Sequence, residues 1–448
     1  MTAPQPSLAE RDLAVVWHPC TQMHDHETLP MVPIARAEGA WLTGTDGRRY
    51  LDAVASWWTC LLGHRHPRVV AALHEQLDSL DHVMLAGFTH APAVELAEEL
   101  VRITPRGLSR VFYADNGSSA VEVALKLSFH YWRNCGEART RFVTLSGGYH
   151  GETLGALSVT DVPLYRDTYG PLLLDPIIAP SPDGYRIPPA QRAAHVTERL
   201  ASMRKLLEQH AGTVCAVIVE PLVQCAAGMR MYPPEYLTGL RALCDEFRVH
   251  LIADEIAVGF GRTGTLFGCE QGGIAPDLMC LSKGLTGGTM ALSAVLATGA
   301  IYDAFYADWS AGKAFLHSHS FTGNPIACRA ALATLSVLRE EPVLPRVREL
   351  AAHLAARIAP FANHPHVGDV RQTGLIGAIE LVRDRMSGDP FPASERRGLR
   401  VYRHGLEHGV VLRPLGNVVY FMPPFCITPD EIDTMVDVAA AGIDRAVA

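Results

Sequence analysis

Apolar positions in the middle of the chain switch repeatedly between continuous short runs and a spacing of three to four residues, so strands and helices alternate there. Arg110–Tyr113 is a short strand, Asp115–Gly117 a turn, and a helix is predicted from Ala120 to Trp132, with Ser119 and Glu122 in an S-x-x-E capping pattern at its start. Ala190 to His210 places Val196, Leu200, Met203 and Leu207 on one helical face, and Gly212 ends it. The runs Cys215–Val219, His250–Ala253 and Leu278–Leu281 are apolar throughout, as strands buried on both faces must be. This alternation predicts an α/β domain with a mostly parallel sheet covered by helices. In such sheets ligands sit beyond the carboxyl ends of the strands, so the polar residues after these runs are the place to look. From about Asn324 the pattern changes to two helices, Ile326–Arg339 and Val347–Ile358, followed by short strands at Leu375–Leu381, Val410–Leu412 and Val418–Phe421. A last helix begins at Thr428-Pro429-Asp430-Glu431, which supplies an N-cap, a first-turn proline and a capping glutamate. The expected organisation is an N-terminal segment (1–65) packing with the small domain and the active site, a large α/β domain (66–325) and a smaller α+β domain (326–448).

Composition narrows the function classes. The net charge of −8 over 448 residues argues against nucleic-acid binding, which wants clustered Lys and Arg. Met1–Pro19 has no basic segment followed by an apolar run, and no apolar stretch is long enough to span a bilayer, so a cytoplasmic protein is expected. The ten cysteines are scattered without a C-x-x-C pair, which fits free thiols in a reducing compartment. His24-Asp25-His26, His64-Arg65-His66 and His317-Ser318-His319 lack acidic or Cys partners at zinc-site spacing, so no metal is expected.

Lysine is scarce: only Lys126, Lys205, Lys283 and Lys313 occur. Lys283 alone follows a buried strand, in Leu281-Ser282-Lys283-Gly284, where partial desolvation would lower its pKa and free the amine for Schiff-base chemistry. A lysine that pairs with a carboxylate or caps the next helix is the alternative. Asp254 ends the His250–Ala253 run, and a carboxylate there needs a cation or N–H donors. A protonated pyridine nitrogen would serve and would keep that ring an electron sink; backbone N–H groups would serve as well. Asn116-Gly117-Ser118-Ser119, between a strand and a helix start, is a candidate phosphate site. Tyr149, in Gly147-Gly148-Tyr149-His150-Gly151-Glu152, offers an aromatic face to a flat ligand.

Together with Glu220-Pro221 and Asp254-Glu255, the order of these motifs resembles the class III aminotransferases of the fold-type I pyridoxal phosphate enzymes, over most of the chain. The resemblance implies that Lys283 holds the cofactor aldehyde, Asp254 pairs with the pyridine nitrogen, and Tyr149 with Gly117 and Ser118 holds ring and phosphate. Glu220 and Gln224 would lie near the cofactor. Narrower matches are Trp17-His18-Pro19, Ser56-Trp57-Trp58, Gly87-Phe88-Thr89-His90-Ala91-Pro92, Gly228-Met229-Arg230-Met231-Tyr232, Gly261-Arg262-Thr263-Gly264 and Arg413-Pro414. These are similar to members that aminate 8-amino-7-oxononanoate from S-adenosylmethionine in biotin synthesis. On that resemblance Trp57, Trp58, Gly284, Cys20 and Arg413 are substrate-site residues, Arg413 for a carboxylate. Ser320, where His319-Ser320 replaces the usual Pro-Thr, would reach the cofactor phosphate of a second subunit in a homodimer with shared sites. Family members usually read Trp-His-Pro-Tyr where this chain has Trp17-His18-Pro19-Cys20, so a neighbouring polar or aromatic side chain is expected to compensate. Other ω-amino acid transaminases (ornithine, β-alanine or lysine as donor), an aminomutase on the same fold and a non-catalytic binding protein are the rival readings.

Overall fold

The computed structural model describes residues 6–29 and 31–448, so the first residues of the Met1–Pro19 stretch and of the 1–65 segment lie outside the described residues. Strands β1 (Ile34–Glu38), β2 (Trp41–Gly44) and β3 (Arg49–Leu51) form a small antiparallel sheet. Next come β4 (Leu108–Ala114), β5 (Arg141–Leu145), β6 (Ile177–Ala179) and β7 (Val214–Val219), then the short ribbon β8 (Val223–Gln224) and β9 (Arg230–Met231). After them come β10 (His250–Asp254), β11 (Leu278–Leu281) and β12 (Ser293–Thr298). Seven strands make the central sheet in the order β4-β12-β11-β10-β7-β5-β6. Only β12 runs against its neighbours β11 and β4; the pairs from β11 to β6 are parallel.

The predicted α/β class holds, and the reason is visible in the core. Cys215, Ile218, Ile252, Cys280 and Val295 face one side of the sheet, against Val121, Ala124 and Leu125 of the helix Gly117–Asn134. Val217, Val219, Leu251, Ala253, Met279 and Leu281 face the other, in a core shared with the C-terminal part of the chain. A strand covered on both sides has no position left for a polar side chain until it ends, which is why the three apolar runs are legible. β13 (Val367–Thr373), β14 (Ile376–Leu381) and β15 (Val418–Phe421) form an antiparallel sheet with the helices Val343–Ile358, Arg397–Glu407 and Pro429–Val447 nearby. Thr428 and Glu431 close the capping box expected there.

Three local expectations are corrected. The helix after β4 starts at Gly117, not Ala120, and Asn116 caps it by accepting from the Ser119 N–H at 3.0 Å; Ser119 is inside the helix. Glu122 accepts instead from the N–H groups of Gly155 (2.8 Å) and Ala156 (3.2 Å), tying the following loop to this helix. Val410–Leu412 is not a strand but a single parallel bridge from Val410 to Leu51. That bridge belongs to a seam joining the N-terminal segment to the C-terminal one, in which Leu51, Ala53 and Leu61 bond to Gly409, Val411, Met422 and Phe425.

The N-terminal segment also carries a backbone feature that no glycine announces. Ala55, Ser56, Trp57 and Trp58 are all left-handed, with φ of 47°, 45°, 70° and 73°. Each L-residue in that region costs about 1–2 kcal/mol, so tertiary contacts must hold this turn. Among the described residues no helix is long and apolar enough to cross a membrane.

Candidate active site

The carboxyl ends of β10 and β11 and the N-terminus of the helix Gly117–Asn134 converge on a cavity of about 300 Å³. Its walls include Trp58, Gly117, Ser118, Tyr149, His150, Glu152, Glu220, Asp254 and Lys283. Lys283 begins the turn after β11 with a left-handed φ of 43°, which bends the chain toward the cavity. Its Nζ lies 4.9 Å from the centre of the Trp58 ring. Burial pulls this amine below the usual lysine value, against the opposing pull of Asp254, Cys225 and Glu220.

Asp254, 4% exposed, ends β10. Its Oδ2 is 2.7 Å from His150 Nδ1 and its Oδ1 accepts from the Ile256 N–H at 3.1 Å. The second ring nitrogen of His150, Nε2, is buried and has no partner among the described residues. The carboxylate is therefore oriented from behind by the imidazole. Glu220 is a second buried acid, accepting from the N–H groups of Tyr149 (3.0 Å) and Cys225 (2.9 Å). Burial pushes its pKa up to about 7, with His150 drawing it down and Asp254 pushing it further up.

The glycine-rich loop is clamped to the helix start. Ser118 Oγ accepts from the N–H groups of Glu152 (3.2 Å) and Thr153 (3.0 Å) and lies 2.8 Å from Thr153 Oγ1. Gly151, at φ 121°, leaves only 2.5 Å between Ser118 Oγ and the place a Cβ would occupy, so no larger residue allows this approach. Tyr149 donates its hydroxyl to Glu152 Oε1 at 2.7 Å; burial, then Glu152, raises that phenol's pKa. Amine, carboxylate and helix N-terminus thus face one cavity from three sides. That donor set matches a flat ligand carrying an aldehyde, a basic ring nitrogen and a phosphate.

A second group of predicted residues lies outside the cavity lining. The Arg413 guanidinium stacks 4.8 Å from the centre of the Trp57 ring and donates from Nη2 to the Cys20 carbonyl at 3.2 Å. Cys20 Sγ is 3.9 Å from the Tyr165 hydroxyl, and the Tyr165 ring packs 5.2 Å from that of Tyr149. Cys20, Trp57 and Arg413 are therefore brought together at the side of Tyr149. Gly284 is buried where a Cβ would touch Leu61 and Phe260, and it does not line the cavity. Gln224 is spent on Ser146 and Ser181. Ser320 is exposed and also off the cavity. His150, Glu152 and Tyr165 are not among the site residues expected from the sequence. The first two share the loop of Tyr149, which could have flagged them; Tyr165 carries no such signal. Among the described residues none of the three His-rich spots belongs to a group of three or more side chains close enough to share an ion. Among the described residues His404, Glu407 and His408 do lie close enough to share an ion, but Glu407 faces Arg445 and the two imidazoles stack at 4.0 Å.

A cavity of this kind, at the strand ends of a mostly parallel sheet with a lysine facing a buried aspartate, defines a pyridoxal phosphate type of enzyme fold. The family model for Aminotransferase class-III matches residues 22–442, and the chain belongs to that family. Over 440 residues it is 46% identical to the adenosylmethionine-8-amino-7-oxononanoate aminotransferase of Nitratidesulfovibrio vulgaris, covering 97% of this chain and 81% of that one. The protein of the same name from Geobacter sulfurreducens is 46% identical over 434 residues, with 96% of each covered. Among solved structures, that enzyme from Methanocaldococcus jannaschii superposes with a TM-score of 0.93 at 38% identity, over 98% of both chains. An omega transaminase from Pseudomonas jessenii in complex with PMP gives a TM-score of 0.93 at 30% identity, again over 98% of both chains.

Proposed function

We propose that this aminotransferase moves an amino group from S-adenosylmethionine to 8-amino-7-oxononanoate, giving 7,8-diaminononanoate for biotin synthesis, with pyridoxal 5'-phosphate held at Lys283. The observation that carries the reading is that Lys283 and Asp254 line one cavity, in a chain whose relatives bear that enzyme name. When bound, the cofactor supplies an aldehyde for the amine and an electron sink for the carbon being deprotonated.

The chain's own residues do the rest. Asp254, oriented by His150, would pair with the ring nitrogen of the bound cofactor. Gly117 and Ser118 present the positive end of an 18-residue helix to the phosphate. Tyr149, fixed through its N–H by Glu220 and through its hydroxyl by Glu152, would hold the ring of the bound cofactor. The Lys283 amine, less basic than a solvated lysine because it is buried, would take the proton from the substrate carbon and deliver it to the carbon of the cofactor that bears the aldehyde. Trp57 and Trp58 form an apolar wall for the acceptor's chain, and Arg413 binds its carboxylate.

The thiol of Cys20 stands against the Tyr165 hydroxyl, so Tyr165 supplies the phenol that position 20 lacks, next to Tyr149 and on the donor side. We also infer a cytoplasmic homodimer. Met84, Phe88 and Phe321 are exposed, and the segments carrying them pack together, His90 bonding to the Gly323 carbonyl and the His82 ring lying 5.0 Å from that of Phe321. A second copy on this face would bring the exposed Ser320 to the partner's phosphate site. Cys20 favours one second reading, lysine or another amine as donor. Single-turnover spectra with S-adenosylmethionine, lysine and other amines, on the wild type, Cys20→Tyr and Tyr165→Phe, decide between them. Amination by S-adenosylmethionine, weakened in Tyr165→Phe, is expected; amination by lysine alone would overturn the donor.

A further inference from the structure

The left-handed turn that carries Trp57 and Trp58 is held by a buried acid and a histidine that no step above uses. Asp52 follows β3 and is fully buried. Its Oδ2 accepts from Ser56 Oγ at 2.7 Å, and Ser56 is itself one of the four left-handed residues. The same oxygen faces His64 Nε2 at 3.0 Å, while Oδ1 accepts from the Val54 N–H at 3.3 Å, at the residue preceding the turn. Thr59 closes the turn from its far side, donating its hydroxyl to the Ser56 carbonyl at 3.0 Å. His64 is anchored in turn: its backbone exchanges two hydrogen bonds with Gly39, beside β1 and β2, and its Nδ1 lies 3.6 Å from Cys60 Sγ.

We propose that the Asp52–His64 pair is a positioning element of the active site, holding the turn 55–58 so that the Trp58 ring stands over Lys283. The role rests on the reading of Lys283 as the cofactor lysine. Two facts link the clamp to the site. Trp58 lines the cavity with its ring 4.9 Å from Lys283 Nζ, and its Nε1–H is tied to the Tyr420 hydroxyl at 3.0 Å, so the indole has one fixed orientation once the backbone is set. The backbone itself has no local reason to be left-handed, since neither Gly nor Asn occurs from 55 to 58. The clamp is charged. Burial disfavours the imidazolium, yet the bonds to Asp52 and Cys60 outweigh it and raise His64 to about 9. Burial likewise works against the Asp52 carboxylate, and His64 and Ser56 hold its pKa below the usual value.

The test uses the full-length enzyme. The Trp58 contribution to the near-ultraviolet circular dichroism is defined by the difference between wild type and Trp58→Phe, and it is read whether or not Lys283 carries the cofactor. His64→Ala and Asp52→Asn are expected to lose that contribution and to reduce kcat/KM for the keto acid at least roughly tenfold, with a single cooperative melting transition retained. His64→Gln, which can still donate to Asp52, should restore part of both. The His64→Ala effect on kcat/KM should shrink when Trp58 is already Phe, which a merely structural role would not produce. If His64→Ala fails to fold, Ser56→Ala removes only the bond to Asp52 and should reduce the same dichroism signal. A full Trp58 signal with wild-type kcat/KM in either variant would overturn the proposal. Loss of the Trp58 signal without Lys283 ever carrying cofactor would leave the clamp and overturn the reading of Lys283 instead.

Discussion

Asp254→Asn separates the charge at the end of β10 from its shape. The amide can still accept from the Ile256 N–H, at 3.1 Å, through Oδ1. Its NH₂ then faces His150 Nδ1, 2.7 Å from the present Oδ2, and the imidazole accommodates this by carrying its proton on Nε2. Both contacts are kept, and the fold loses only the charge assistance of the one to His150 and gains a buried Nε2–H with no partner among the described residues, a cost of about 1–3 kcal/mol. What disappears is the negative charge at a position only 4% exposed, where solvent does not screen it. A charge-assisted bond contributes about 1.5–3 kcal/mol, which converts to roughly tenfold to 150-fold weaker cofactor retention. Asp254 is also the largest influence holding the Lys283 amine up against burial, so that amine becomes less basic still in the variant. Equilibrium dialysis against graded pyridoxal phosphate gives the first effect, and single-turnover rates with saturating cofactor give the second. Wild-type retention together with wild-type rates would refute the assignment of Asp254 to the ring nitrogen. A collapse of thermal stability would instead show the charge to be structural.

Borohydride reduction of the holoenzyme should fix the cofactor on the peptide containing Lys283, and Lys283→Ala should show no turnover; label on Lys126, Lys205 or Lys313 would end the reading. Arg413→Ala should raise KM for the keto acid by roughly tenfold to a hundredfold while the cofactor stays bound, because a bidentate contact and the stack on Trp57 are both lost; unchanged acceptor kinetics would make Arg413 an ordinary charge. Glu255 is fully buried, accepts from the Gly268 and Cys269 N–H groups, and is pushed by burial up to about 7. The folded state therefore keeps this proton to a higher pH than the unfolded chain, and the associated stability, full below about pH 4.5, is lost as pH rises toward 7, by about 3 kcal/mol at most. Urea unfolding of wild type and Glu255→Gln across this range should show a smaller loss in the variant, and equal slopes would contradict it.

Much of this was legible because burial on both sheet faces forces continuous apolar runs, and the polar residues that end them stand out. Position after such a run, and for Lys283 the rarity of lysine, single out Lys283 and Asp254, and the structure brings both to one cavity. The helix start was misread because two polar residues compete there: Ser119 fits the S-x-x-E pattern, but Asn116 holds the extended backbone a cap needs and reaches the Ser119 N–H. Val410–Leu412 has strand-like residues, yet among the described residues its pairing is limited to a single bridge to Leu51. The turn 55–58 is silent in the sequence, since its handedness is imposed by Asp52, itself fixed by His64. The grouping of Cys20, Trp57, Tyr165 and Arg413 depends on chain segments far apart in sequence, and no periodicity reports such contacts.

The most direct test of the account is product formation by the purified enzyme supplied with pyridoxal phosphate, S-adenosylmethionine and 8-amino-7-oxononanoate. Mass spectrometry should detect 7,8-diaminononanoate from the wild type and none from Lys283→Ala. Absence of that product from a cofactor-loaded, folded wild type, or its persistence in Lys283→Ala, would contradict the account.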